Sequence, residues 1–394
     1  MQNYLHLKLC LYSLILFASC AANTQTAVIG DQVYLPAFDQ QVQRVQKEDD
    51  ELVGLAIGII DGGKLVYKNT LGETTIRSGD LITENTVFRI ASVSKTFTGT
   101  LLADLAESGL IDLNAPISTE LFDLKGTKQP SLLEVASHQT GLPPNAYDND
   151  LEEGRLSLDH IMQRLTGVEL VCPVGECHTY QNLTFATLGE VIGQAAEKSY
   201  EEALQSYIFD PLAMHTASVG NQALQASDSW AVPHRIDEIR NRRYVPGDPA
   251  SPYDQVAPAA AINASLKDML AWAFANLGLN PALSQQSISA AHSWVVDTPT
   301  QNRALWRMAN RLEETGYGLG WRHYIWEDRH LITHSGYIAG YGAQILLEPA
   351  RDFAFVALWN SDARSPWYLW PTLLDLQDKG SAGSWLDDYG FREN

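Results

Sequence analysis

Apolar positions recur along this chain with two spacings, and the spacing predicts the element. In "ELVGLAIGIIDGGKLVYKNTLGE" two apolar stretches flank Asp61-Gly62-Gly63, which reads as a β-hairpin closed by a tight turn. Before it, Phe38, Val42 and Val45 recur at helical spacing in a polar stretch. After Ser92, the residues Phe97, Leu101, Leu102 and Leu105 keep a 3.6-residue period, and Gly109 ends the run. From about Leu110 to Pro252, helical patterns mix with loops rich in Pro and Gly. Strands return in "RHLITHSG" and "AQILLEPARDFAFVALWNS", and a final helix is expected from Trp367 to Leu376. Helix and strands at both ends, with helices between, predict an α/β domain over 36–110 and 255–390, interrupted by a mostly helical domain over 111–254.

Composition narrows this picture. At 394 residues, 45% hydrophobic and 19% charged, the chain has enough apolar material for a large core. Its net charge of −20 argues against a nucleic-acid partner, whose phosphates it would repel. The N-terminus carries Lys8, then an apolar run from Leu9 to Ala18 that is too short to span a bilayer and fits an export signal over residues 1–19. Phe17-Ala18-Ser19-Cys20 resembles a bacterial lipoprotein box, with Cys20 as the lipidated first residue of the mature chain. The expectation is a periplasmic protein, tied to a membrane only through that lipid anchor or, alternatively, released by plain signal-peptide cleavage. Two further cysteines, Cys172 and Cys177, sit in "VCPVGECHTYQN". In an exported protein they suit a disulfide closing a Pro-Gly turn. Two free thiols, or a metal site completed by His178, are the competing readings, and three clustered ligands without a second cluster make a weak zinc site.

Three short stretches carry candidate chemistry. In "TVFRIASVSKTFTG", Ser92 lies one helical turn ahead of Lys95 at the expected start of a helix. One reading makes Ser92 a cap and Lys95 a solvated side chain. The other makes Ser92 a nucleophile and Lys95, desolvated in a cleft, its proton acceptor. Ser94 is the rival nucleophile, but its offset from Lys95 turns it to another face. Tyr180 and Asn182 are two residues apart, so an extended segment points both to one side. A tyrosine serves as acid or base when positive charge lowers its pKa, and Lys95 is the expected source of that charge. In "THSGYIAGYG", His334 and Gly336 share one strand face, and Gly336 leaves room for a substrate beside the backbone. The N–H groups of Tyr337 and Ser92 are then candidates for an oxyanion hole. No Gly-x-Ser-x-Gly or His-Glu-x-x-His stretch is present.

Ser92-Val93-Ser94-Lys95, Tyr180-Gln181-Asn182 and His334-Ser335-Gly336, in this order, resemble the three motifs of the penicillin-recognising serine hydrolases: class C β-lactamases, serine DD-peptidases, D-aminopeptidases and related esterases. "SLLEVASHQTGLPP", "IFDPLAM", "PAAAINASLKDMLAW" and "YGLGW" look like accessory stretches of the same group. The resemblance implies a β-lactamase/transpeptidase-like fold, with an antiparallel sheet flanked by helices and the site between the two domains. It implies an acyl-enzyme on Ser92 activated by Lys95 and Tyr180, either of which is a candidate base, and no cofactor or metal. Asn182, His334, Gly336 and, after "GLPP", Asn145 are the implied substrate-binding positions. His334 stands where class C β-lactamases have lysine, so the pull on a substrate carboxylate is expected to be weaker and pH-dependent. That shifts the expectation toward peptidases acting on D-amino-acid peptides, with esters or β-lactams as alternative substrates and a non-catalytic lipoprotein as the third reading.

Overall fold

The computed structural model describes residues 28–391 except 125–126, 238–242, 250–251, 300–305, 309 and 339. The expected signal segment and Cys20 lie outside the described residues. The strands, in chain order, are β1 (Val28–Ile29), β2 (Gly54–Asp61), β3 (Lys64–Gly72), β4 (Val87–Arg89), β5 (Ser218–Val219), β6 (His234–Asp237), β7 (Arg243–Pro246), β8 (Ile262–Ser265), β9 (Val296–Asp297), β10 (Leu312–Tyr317), β11 (Arg322–Trp326), β12 (Arg329–Ile338), β13 (Tyr341–Glu348) and β14 (Phe353–Trp359). Nine of them form one antiparallel sheet in the order β1-β3-β2-β14-β13-β12-β11-β10-β9. The N-terminal hairpin therefore joins the C-terminal strands through β2 and β14, which align Leu55 with Trp359 and Ile59 with Phe355.

The period-2 alternation of a strand explains why β2 is apolar at nearly every position. Leu55, Ile57 and Ile59 enter one core with Phe38, Val42 and Val45 of helix α1 (Leu35–Glu48) and Leu369 and Leu373 of the C-terminal helix Leu369–Lys379. Ala56 and Ile60 face the opposite core, shared with helix α2 (Ser94–Glu107) and with Leu266 and Leu270 of helix Leu266–Asn276. Both faces of the sheet are covered, giving helix, sheet and helix layers.

Helix α2 lies inside the second core. Phe97, Leu101, Leu102 and Leu105 are buried as the period predicts, but Thr96, Thr98 and Thr100 are buried as well. Their hydroxyls are satisfied: Thr96 donates to Val93 O at 2.8 Å, Thr98 to Pro258 O at 2.7 Å, and Thr100 accepts from Trp321 Nε1 at 3.2 Å. The "YGLGW" turn fixes the depth of this helix. A Cβ on Gly99 would stand 1.9 Å from Leu319 O, and one on Gly320 would stand 2.0 Å from Lys95 O, so only glycines allow the contact. The segment between α2 and β8 is built of short helices, with β5 and the β6–β7 hairpin among them.

Candidate active site

Ser92 is not the cap of α2. It sits in a 3-10 turn, Ala91–Val93, and α2 begins at Ser94. Ala91 has φ +47°, a left-handed conformation that a residue with a side chain adopts only under strain. The strand leading into this turn is anchored by Arg89, whose buried guanidinium contacts Asn263 Oδ1 at 2.7 Å, Asn221 Oδ1 at 2.6 Å and Asp254 at 3.0 Å. Ser94, the rival nucleophile, is fully buried, and its Oγ accepts from the N–H of Ile262 at 3.0 Å. Ser92 is half-buried.

Lys95 is fully buried, which rules out the solvated alternative. Its Nζ lies 3.4 Å from Ser92 Oγ, 2.5 Å from Asn182 Oδ1 and 2.8 Å from Ala259 O. The last two atoms can only accept, so they take two N–H groups. A neutral amine then has its lone pair left for the Ser92 hydroxyl. Electrostatics point the same way: burial holds the Lys95 pKa well below the usual amine range, Asp148 opposes the shift, and Arg322 adds to it. The orientation of the Asn182 amide is fixed from its far side, where Nδ2 donates to Asp148 Oδ2 at 2.6 Å. Burial raises the pKa of Asp148, while Asn182 and Lys95 lower it.

Tyr180 precedes the short helix Asn182–Ala186. Its ring lies 4.8 Å from Lys95 Nζ. Burial pushes its pKa up to about 12 against the lowering influence of the Arg322 guanidinium and the Ser92 hydroxyl. The positive charge that lowers it is therefore Arg322, whose Cζ sits 5.0 Å from the Tyr180 ring, and not Lys95 as the sequence suggests. The backbone of the tyrosine loop is held by Asn145, whose N–H donates to Tyr180 O at 2.8 Å. Asn145 has φ +52° and is itself exposed. Cys172 and Cys177 are joined by a disulfide, so the metal reading with His178 has no thiolates to use. Among the described residues no cluster of three or more His, Cys, Asp or Glu is placed to hold a metal.

His334 and Gly336 lie on β12. Strand β11 ends with Arg322 opposite Thr333, while β13 continues along β12 as far as Ile338. Beyond Thr333, one edge of β12 therefore faces the Ser92 turn instead of a strand. A Cβ on Gly336 would stand 2.9 Å from Ser92 N and 2.3 Å from Ile90 O, so glycine is what lets the strand approach. Tyr337, next along, is 55% exposed and donates its hydroxyl to Asp362 at 2.6 Å. His334 is fully buried. Its Nδ1 lies 2.8 Å from Ser335 O, which only accepts, so Nδ1 carries the proton and Nε2 accepts from the Tyr317 hydroxyl at 3.0 Å. Burial, then Arg322 and Lys95, hold its pKa well below the usual imidazole range. The ring is thus neutral and turned to Tyr317, which removes the expected pH-dependent pull on a carboxylate near neutrality.

The residues missed from the sequence are Arg322, Tyr317, His138 and Asp148. The His138 ring lies tilted against Tyr180, 4.3 Å between centroids, and its Nδ1 accepts from Gln181 N–H at 3.2 Å. Arg322 had one visible signal, a cation following "YGLGW" in an otherwise apolar and aromatic strand.

A half-buried serine, a desolvated lysine on one side of it and a tyrosine on the other define a serine acyl-transfer site on a sheet-and-helix scaffold. Residues 38–377 match the model of the beta-lactamase family, and the chain belongs to that family of serine hydrolases. A beta-lactamase from Yersinia enterocolitica is 24% identical over 337 residues, covering 84% of this chain and 77% of the relative. Unguisins hydrolase ungD' from Aspergillus campestris is 24% identical over 340 residues, 82% of this chain but 62% of the hydrolase, so the chain spans less than two thirds of that protein. Among solved structures, the octameric penicillin-binding protein homologue from Pyrococcus abyssi has a TM-score of 0.74 at 21% identity, covering 87% of this chain and 76% of that one. A class C beta lactamase from Rhodobacter sphaeroides has a TM-score of 0.64 at 22% identity, covering 82% and 94%. SurE with D-Leu has a TM-score of 0.65 at 21% identity, covering 91% and 76%. At such identities these structures establish the fold.

Proposed function

We propose that this chain is an exported hydrolase that forms an acyl-enzyme on Ser92 and cuts D-amino-acid peptides of the kind found in peptidoglycan. The observation that carries the reading is the hydrogen-bond pattern of Lys95, which leaves a neutral amine's lone pair for Ser92 Oγ at 3.4 Å. In this mechanism the Ser92 proton passes to Lys95 as Oγ bonds to the substrate carbonyl carbon. The N–H groups of Ser92 and Tyr337 hold the oxyanion. Tyr180, protonated at rest, gives its proton to the leaving nitrogen and recovers one from Lys95. Water then attacks the ester through the same groups in reverse. The D-peptide assignment is supported by the neighbouring fold that was solved with D-Leu. Export, with lipidation at Cys20, rests on the N-terminal sequence.

A second reading, an esterase, is favoured by the neutral His334, which offers no cation to a β-lactam carboxylate. The deciding experiment takes residues 21–394 as a soluble protein, adds benzylpenicillin and follows intact mass, with Ser92→Ala as control. A lasting adduct confined to the parent supports a peptidase that deacylates slowly. Consumption of the drug without an adduct indicates a β-lactamase. Intact drug and no adduct remove the penicillin-reactive peptidase and leave ester hydrolysis to be assayed.

A further inference from the structure

Resting on the Ser92 acyl-enzyme reading, we propose that Arg322 is the positioning residue that keeps Lys95 and Tyr180 competent for proton transfer, supplying from β11 the fixed positive charge that the third motif lacks. Three placements carry this. First, the guanidinium lies over two rings of the site, its Cζ 5.0 Å from the Tyr180 ring and 5.3 Å from the Tyr317 ring. Second, the same Tyr180 ring lies 4.8 Å from Lys95 Nζ, so the guanidinium and the amine share one aromatic neighbour. Third, the side chain that occupies the motif position, His334, has both ring nitrogens committed, to Ser335 O and to Tyr317. The cation of the site at neutral pH is then Arg322, because a guanidinium does not deprotonate in a protein.

The charge acts in one direction on every proton-carrying group around it. It favours the deprotonated form of Lys95 and of Tyr180, and it adds to the burial that keeps His138, His178 and His334 neutral. Asp148, the first residue of the short helix Asp148–Glu152, works in the opposite sense on both Lys95 and Tyr180. Tyr317 of β10 and Tyr253 complete the titratable groups that face the tyrosine. The hydroxyl proton of Ser92 thus moves in a site biased toward a free amine, and Tyr180 becomes a better acid toward the leaving group. A purely structural arginine would hold Tyr180 in place without setting the pH at which the serine becomes reactive.

The test uses a fluorophosphonate, which labels an activated serine whatever the natural substrate. The phosphorus–fluorine bond breaks, fluoride leaves, and the Ser92 oxygen forms the new bond to phosphorus. Labelling rates are followed by intact mass from pH 5 to 10 in the parent, Arg322→Gln and Arg322→Lys, with Ser92→Ala as blank. Loss of a nearby unit charge shifts pKa values by about one unit, so Arg322→Gln is expected to move the acidic limb of the profile upward and to label about tenfold more slowly on that limb. Arg322→Lys is expected to keep the limb near its parental position, with a lower plateau from the lost planar stacking. A glutamine variant that slows uniformly, with the limb unmoved, overturns the proposal. So does a lysine variant whose limb moves as far as expected for glutamine, and that outcome decides the matter if the glutamine variant has no melting transition. A parent that is not labelled above the Ser92→Ala blank removes the nucleophile itself, a failure distinct from an unmoved limb.

Discussion

Gly336 and Ser92 approach so closely that a Cβ on residue 336 would stand 2.9 Å from the Ser92 amide nitrogen. A side chain at 336 would crowd that nitrogen, which in the proposed mechanism is one of the two donors to the substrate oxyanion. Gly336→Ala is expected to lower acylation by about a hundredfold or more, the usual cost of disabling an oxyanion donor. Stopped-flow ester hydrolysis beside a thermal melt checks this. A variant that melts near the parent and hydrolyses as fast would show that the oxyanion lies elsewhere.

Lys95 predicts a specific pH dependence of stability. Its folded pKa is well below the unfolded one, so between these two values the unfolded chain binds more protons, and stability rises with pH over that window toward about 10.4. Lys95→Met is expected to abolish acylation and to flatten that rise. Urea unfolding of parent and variant at a series of pH values above 7 measures the difference, and parallel curves would contradict it.

Acid should unfold the protein early. Burial lowers the pKa of His138 and His334 far below the usual value, that of His178 and His292 to about 3, and that of His323 to about 4. Each contributes stability at neutral pH that is lost as pH falls below about 6.5, at up to about 1.4 kcal/mol per pH unit. Asp104 and Asp148, whose carboxyls are raised by burial, oppose this but are fewer. A melting temperature that drops steeply between pH 6.5 and 4.5 is the expected result, read by circular dichroism.

The disulfide is expected to matter more to turnover than to stability. It closes a loop of sequence separation 5, worth about 2 kcal/mol in chain entropy. That loop is zipped to the segment before Asn145, through Val171 N–H to Gly141 O at 2.8 Å and Thr179 N–H to His138 O at 2.7 Å, and it leads directly into Tyr180. Reduction should lower the melting temperature by a few degrees and acylation by a larger factor. Equal activity with and without reductant would separate the bridge from the site.

The sequence by itself determined the layers and most of the groups that meet at the candidate site. Short-range periodicity marks β2, α1 and α2 because strand and helix repeat at 2 and 3.6 residues, and the resemblance of three ordered motifs to a known family singles out Ser92, Lys95 and Tyr180. Tertiary structure decided what those groups can do. Whether Lys95 is charged depends on burial and on Asp148, which lies across the Asn182 amide. His334, which by sequence alone reads as a pH-dependent cation, is held neutral by burial and by the charges of Arg322 and Lys95 from other elements. The site's lasting positive charge comes from Arg322 on β11, whose one local signal, a cation after "YGLGW", does not say which groups it faces. Protonation states answer to desolvation and to charges brought together from distant parts of the chain, and no spacing along a single stretch records them.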